Sequence, residues 1–319
     1  MLKPPPTTLL VTAEHAGLAV RFDRDPALTR VRPGVYVPKT EWNTLAPWDR
    51  YLLRVHAVAR SSRHAAFCLE SALVLQDLPI FGEPADIHVL DAVGRRRGDV
   101  HMHGGIRNHR VIALDGFSMT TPIDSAVAFA RVAPRTHALA VADAVWRRRA
   151  AEADPEADDF LARARVQADR RGLRRVAWVQ ERVRADSESV GESVSRAVIE
   201  WLGYEEPELQ VVFASGGFRD RVDFFWRAAR VIGESDGYGK YDASSPEKMK
   251  AHFVDEKRRE DRLRRQVRGF ARWEWSDVMH PDRLDAKLRR AGLRPVRARQ
   301  QLMLGTVSLN RRALPSSRR

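Results

Sequence analysis

The chain reads as an α/β protein on three observations. Short apolar runs of alternating polarity stand between longer segments whose apolar residues recur every three or four positions, the signatures of half-buried strands and amphipathic helices. Hydrophobic residues make up 44% and charged residues 30% of the 319 positions, enough apolar material for ordinary cores and too much for a disordered chain. That length sets a prior of two or three domains, and the acidic stretch AEADPEADDF at 151–160 shifts the composition where a boundary is expected.

In order, PPP at 4–6 excludes a helix, and TRVRPGVYVP at 29–38 alternates Val31, Val35 and Val37 around Pro-Gly, a small hairpin. PWDRYLLRVHAVARSS (47–62) and AAFCLESALVLQDLP (65–79) are expected as amphipathic helices, the second stopped by Pro79. Three β-like pieces follow, ADIHVLDA, DVHMHGG and HRVIALDGFSMTT, before a helix opened by Pro122 and another over THALAVADAVWRRRA. Leu173, Val176, Val179 and Val183 keep helical spacing after Gly172, so residues 151–184 read as a helical connector. In SESVGESVSRAVIEWLGY a serine such as Ser189 caps a helix that carries Glu192 in its first turn and ends at Gly203. ELQVVFASG, DRVDFFW and RVIGESDG then read as strands, EKMKAHFVDEKRREDRLRRQVRG as a helix, FARWEWSDV as a strand and PDRLDAKLRRAG as a closing helix. The order is αβββαβα with a mixed sheet over 185–293, followed by a basic tail over 294–319 whose end, RRALPSSRR, is expected to be disordered.

Lysine and arginine total 55 against 42 acids, a net charge of +13 that favours a polyanionic partner such as DNA. One cysteine, Cys68, excludes an internal disulfide framework and suits a reducing cytoplasm. No basic leader or long apolar run appears, so a soluble cytoplasmic protein without a membrane partner is expected.

The chemistry-bearing stretch is GESDGYGKY at 233–241. Asp223 near one strand end and Glu234 near the next bring two carboxylates to one sheet edge, where hard oxygen donors suit magnesium; the alternative is solvated strand ends. Between 257 and 272 eight basic residues face two acids, so Lys257, Arg258, Arg262 and Arg265 are candidate phosphate contacts. Arg258 and Asp261, three apart, are candidate supports of the acidic site or a plain surface pair. Trp273 and Trp275 alternate along the expected strand, to pack or to stack on a base. His101 and His103 share one strand face, with no third ligand evident nearby.

Glu192 on an opening helix, VDF around Asp223, GESDG with Glu234 and Asp236, and KRRED followed by RWEWSDV resemble the PD-(D/E)XK nuclease fold. More narrowly they are similar to its very-short-patch-repair endonuclease-like branch, over roughly residues 185–293. That branch reads Glu-x-Asp-Gly-x-x-His where this chain has Lys240, and the wider fold places lysine where this chain has Asp236. The resemblance implies a Mg2+- or Mn2+-dependent DNA endonuclease. Asp223 and Glu234 would be metal ligands, Glu192 would reach the same ion directly or through water, Asp236 would complete the acidic cluster or hold Lys240 in place, and Lys240 would orient water or contact phosphate.

TRVRPGVYVP, AFCLESALVLQDLPIFG, DIHVL and GFSMTTPIDSAVAFARVA followed by ALAVADAVWR resemble AbiEi-type antitoxins and transcriptional regulators, over roughly residues 28–150. This implies a reduced winged-helix-like region over 1–60, an AbiEi-like α+β domain over 61–150, and a cognate toxin or other protein as partner. Pro4 to Pro6, Gly17 and Pro26 leave no recognition helix before the wing. The two resemblances set a metal-dependent nuclease against a non-catalytic antitoxin or regulator that binds DNA through a degenerate nuclease fold.

Overall fold

The computed structural model describes residues 2–15, 21–62, 65–105, 109–152, 159–236 and 246–315, with only the backbone of 246–253. It is a mixed α/β structure divided into two units: Met1–Val145, Ala153–Val183 and Asn310–Arg319 form the first, Trp146–Glu152 and Arg184–Leu309 the second. No helix of the described residues is long and apolar enough to cross a membrane.

In the first unit β1 (Leu10–Val11), β2 (Leu28–Arg32) and β3 (Val35–Pro38) make a sheet of order β1-β3-β2, in which β2 and β3 form the hairpin expected at 29–38. Ahead of it the described residues hold β1 and two short 3-10 segments, Thr12–His15 and Phe22–Arg24. Helices α1 (Lys39–Thr44) and α2 (Pro47–Ser61) follow, and α2 buries Tyr51, Leu52, Val55 and Val58 at helical spacing. The second expected helix is shorter than its sequence suggests. Ala66–Phe67 is a strand, β4, and only Leu69–Leu75 is helical, as α3. The reason is tertiary: β4 pairs with β strands on both sides, and the Cys68 N–H is taken by the His88 carbonyl at 3.0 Å. Local helical period yields to those ladder bonds.

A six-stranded sheet is completed by β5 (Ile87–Leu90), β6 (Arg95–Arg97), β7 (Val100–His103), β8 (Val111–Leu114) and β9 (Phe117–Thr120), in the order β6-β7-β5-β4-β9-β8. HRVIALDGFSMTT is therefore two strands, reversed at Asp115-Gly116, both with positive φ as a tight hairpin turn demands. Thr121 caps α4 (Pro122–Val132), and α5 (Arg135–Glu152) follows. Helices α6 (Phe160–Val166) and α7 (Leu173–Gln180), read from sequence as a connector, pack on α4. There Asp124, with no exposed surface, takes two bonds from the Arg163 guanidinium. Residues 311–315, expected to be disordered, correct the sequence reading: Arg312 binds the buried Glu70 carboxylate in a bidentate pair, and its carbonyl accepts from Ala85 N–H at 2.8 Å.

The second unit runs α8 (Val190–Trp201), β10 (Glu208–Ser215), β11 (Phe218–Trp226), β12 (Val231–Asp236), α9 (Pro246–Arg264), β13 (Gly269–Glu274), α10 (Trp275–Met279), α11 (Pro281–Arg290) and α12 (Gln301–Leu304). Its sheet has the order β10-β11-β12-β13, antiparallel except for β12 and β13. A parallel neighbour cannot follow by a hairpin, and α9 belongs to the crossover that delivers it. Leu263 of α9 joins Val222, Phe225 and Ile232 in an apolar cluster. The strand expected over FARWEWSDV stops at Glu274, whose side chain and that of Asp277 close a capping box that starts α10. Trp273 and Trp275 thus do not alternate on one strand. Trp273 has no exposed surface and donates to Ser195 Oγ at 2.9 Å, which rules it out as a base-stacking surface.

Trp273 fits because β12 has glycine at 233, where a Cβ would lie 2.6 Å from Trp273 Cη2 and 3.0 Å from Trp226 Cζ3. Gly233→Ala is expected to destabilise this unit by about 1–3 kcal/mol, the usual cost of overpacking a core. The measurement is the urea midpoint at unchanged m-value; a midpoint equal to the parent's would show that the indoles yield without cost.

Candidate functional site

The acidic site is built on β12. Val231, Ile232 and Gly233 are buried, and Glu234 follows at 7% exposure. Gly233 pairs with Phe224 on β11, so Asp223 and Glu234 come next on adjacent strands, and Asp223 Oδ2 accepts the Ser235 N–H at 2.9 Å. On the other flank the parallel register sets Glu234 beside Arg272 and Asp236 beside Glu274.

The wall above these strands comes from α9. Arg259 donates to Glu234 Oε1 at 2.9 Å and to the Arg221 carbonyl at 2.5 Å, and it lies 3.2 Å from Glu256. Arg272 reaches Asp236 at 3.2 Å, Glu256 at 2.6 Å and Glu260 at 3.3 Å. Strands β12 and β13 and helix α9 are thereby laced by alternating carboxylates and guanidiniums.

Even so, the acids are under-compensated. Burial first and the charge of Asp223 second push Glu234 up to about 7, against the opposing pull of Arg259. Burial raises Asp236 despite Arg272, and the Glu256 charge adds to the rise. Burial also raises Glu192, with Asp223 contributing. Glu192 Oε2 meanwhile accepts from Glu188 N–H and Gln210 Nε2, each at 2.9 Å, so this carboxylate also ties the start of α8 to β10. Gln210 reaches it from a backbone at φ +54, an uncommon conformation for a non-glycine residue and an irregularity in β10 beside the site.

Of the residues singled out from sequence, Asp223, Glu234 and Asp236 come together, with Glu192 within electrostatic reach of Asp223. Lys240 lies outside the described residues. Lys257 and Arg258 are exposed on α9, and Arg265 is exposed in the turn just after it. Arg262 has another role: it pairs bidentately with Asp220 at 2.8 and 2.9 Å, and its guanidinium lies 4.1 Å from the Phe218 ring centroid. Arg258 contacts Asp255 at 3.8 Å with both side chains largely exposed, a pair worth about 0–1 kcal/mol. The supports of the site are therefore Glu256 and Arg259, two positions back from the expected Arg258 and Asp261. Sequence reading missed Arg259, Glu256, Arg272 and Gln210. The first two were findable as a three-residue spacing that leads to the apolar Leu263.

Among the described residues these acids do not bring three ligand atoms within 4.8 Å of one another; the set that does is His88, His101 and His103 in the first unit. Asp223 and Glu234 offer two carboxylates, which with water is a common magnesium arrangement. No protein-family model, curated protein or solved structure matches the chain.

A carboxyl held at about 7 in the folded state and near 4.5 when unfolded binds its proton more tightly when folded. Its contribution to stability is whole below about 4.5 and is lost as pH rises to about 7. In chelator, Glu234→Gln is therefore expected to flatten the fall in unfolding free energy over that window. An equally steep fall in the variant would remove Glu234 as the titrating group.

Proposed function

We propose that the second unit is a divalent-metal-dependent DNA endonuclease of the PD-(D/E)XK, very-short-patch-repair-like type. The observation that carries this reading is the buried Glu234 beside Asp223, with its carboxyl raised to about 7. Two hard oxygen donors side by side on the antiparallel strands β11 and β12 suit Mg2+ or Mn2+ in chemistry and number, so the donor set fits the ion. Such an ion, when bound, supplies Lewis-acid stabilisation of phosphodiester charge and a more acidic water. Asp223 and Glu234 would hold it, Asp236 adds negative potential beside them, and Glu192 keeps α8 and β10 in place around Asp223. Lys257, Arg258 and Arg265 would meet phosphates without reading bases, giving affinity that falls with salt.

A second reading is favoured by Arg259, whose guanidinium sits on Glu234 at 2.9 Å and already supplies a cation to the acid pair. On that reading the unit binds DNA without cutting it, and the protein acts as an AbiEi-like antitoxin or transcriptional regulator with a cognate toxin or other protein as partner.

Nicking of supercoiled DNA by the parent, Asp223→Asn and Glu234→Gln separates them, each assayed in Mg2+, Mn2+ and chelator. The nuclease reading expects metal-dependent nicking that both substitutions reduce by at least about 100-fold, the loss of several kcal/mol of charge stabilisation. DNA affinity should be kept or increased, since each substitution removes a negative charge near phosphate. Equal rates in all three proteins, or salt-sensitive binding with no nicking, would leave the non-catalytic reading.

A further inference from the structure

The pair of histidines on β7 acquires its third member from the neighbouring strand. Strands β5 and β7 run parallel with His88 opposite His101 and Leu90 opposite His103, so the three imidazoles gather on one face. His88 Nδ1 lies 2.9 Å from His103 Nε2, and the rings of His101 and His103 stack at 4.2 Å between centroids. One nitrogen from each residue lies within 4.8 Å of the other two. His88 is 4% exposed, and the three rings line a cavity of about 770 Å³ within the first unit.

From this geometry we propose that His88, His101 and His103 form a transition-metal site, selective for an imidazole-seeking ion such as Zn2+, with an open fourth position toward the cavity. Tetrahedral zinc with bonds of about 2.1 Å needs ligand nitrogens about 3.4 Å apart. The 2.9 Å between His88 Nδ1 and His103 Nε2 needs to open by only about half an ångström to meet that spacing. Three neutral nitrogens and no carboxylate in the set select against Mg2+ and Ca2+, so this site is chemically distinct from the acids of β11 and β12.

The groups behind His88 hold its metal-free tautomer, and one change of partner accompanies ligation. Arg312 Nη2 lies 3.0 Å from His88 Nε2 and can only donate, so without a metal the His88 proton sits on Nδ1 and points at His103. Metal at Nδ1 moves that proton to Nε2, so the Arg312 donor must turn off Nε2 and leave Glu70 Oε2, 3.5 Å away, as the acceptor. A buried carboxylate behind a ligating imidazole fixes the tautomer and raises ligand basicity. Glu70 is in turn held by Arg312 through two bonds. Among the described residues the ligand atoms that lie within 4.8 Å of one another are those of the three histidines, so the set has three protein ligands. Three ligands and an opening describe a zinc that keeps a place for water or a substrate atom.

The test uses the full chain, stripped with chelator and dialysed against Zn2+, with bound metal measured per protein. One zinc per chain is expected. His101→Gln and His103→Gln, at half-buried positions that tolerate a polar amide, should each weaken binding by at least about 100-fold, more than losing an outer partner costs. Glu234→Gln should retain the zinc. In parallel, Co2+ added to the stripped parent should give the intense visible absorption of a tetrahedral site, a readout that needs no variant to fold. The proposal is overturned if the folded parent retains no zinc, if both histidine variants keep it, if it is lost with Glu234→Gln, or if cobalt shows only weak octahedral bands.

Discussion

Burying one carboxylate beside another is the constraint around which the second unit is arranged. Two unit charges about 4 Å apart interact by about 4 kcal/mol at an effective dielectric near 20, a large part of the roughly 5–15 kcal/mol that separates a folded domain from its unfolded chain. Glu234 and Asp223 can share a strand edge only if positive charge is brought to them. The residues that bring it, Arg259 and Arg272, lie on α9 and β13, the crossover helix and the strand that pairs in parallel with β12. Sheet topology and charge compensation are thus met by the same stretch of chain. Much of the basic run of α9 is spent internally, on Glu234, Asp220 and Glu260, and the positive charge left for an outside polyanion is smaller than composition suggests.

The first unit follows the same rule with different partners. Asp124 is wholly buried and is satisfied by Arg163, Gln167 and the Arg110 N–H, two of them from a helix and its end some forty residues downstream. Glu70 is satisfied by Arg312, 242 residues away. Asp124, Glu70 and Glu234 are each paired with an arginine remote in sequence, so their pairing acts as a check that distant segments have met correctly.

The parts of the fold legible in the sequence were those governed by local rules. The hairpin around Pro33-Gly34, the Pro122 helix start, the Ser189 cap and the strands carrying Asp223 and Glu234 all follow from turn chemistry, capping and short-range pattern. What escaped was decided at long range. Ala66–Phe67 is a strand because two other strands bracket it, and Trp275 is helical because Asp277 completes a capping box with Glu274. The site was legible to the same extent. Period and spacing placed the acids, but which arginine on α9 faces them depends on how that helix is rotated over the sheet, and this left Arg258 named where Arg259 acts. The third histidine was hidden because its partnership with His101 exists only in the register between β5 and β7.

The pairing of Glu70 with Arg312 bears on the order in which the chain can be assembled as it is made. A ribosome releases residues in sequence, and the segment carrying Arg312 comes after the whole of Arg184–Leu309. Until it emerges, the Arg312 guanidinium that Glu70 binds in the finished fold is missing from the sheet and helices around it. The unit that begins the chain is therefore the last to be completed, and the unit inserted within it has time to settle first.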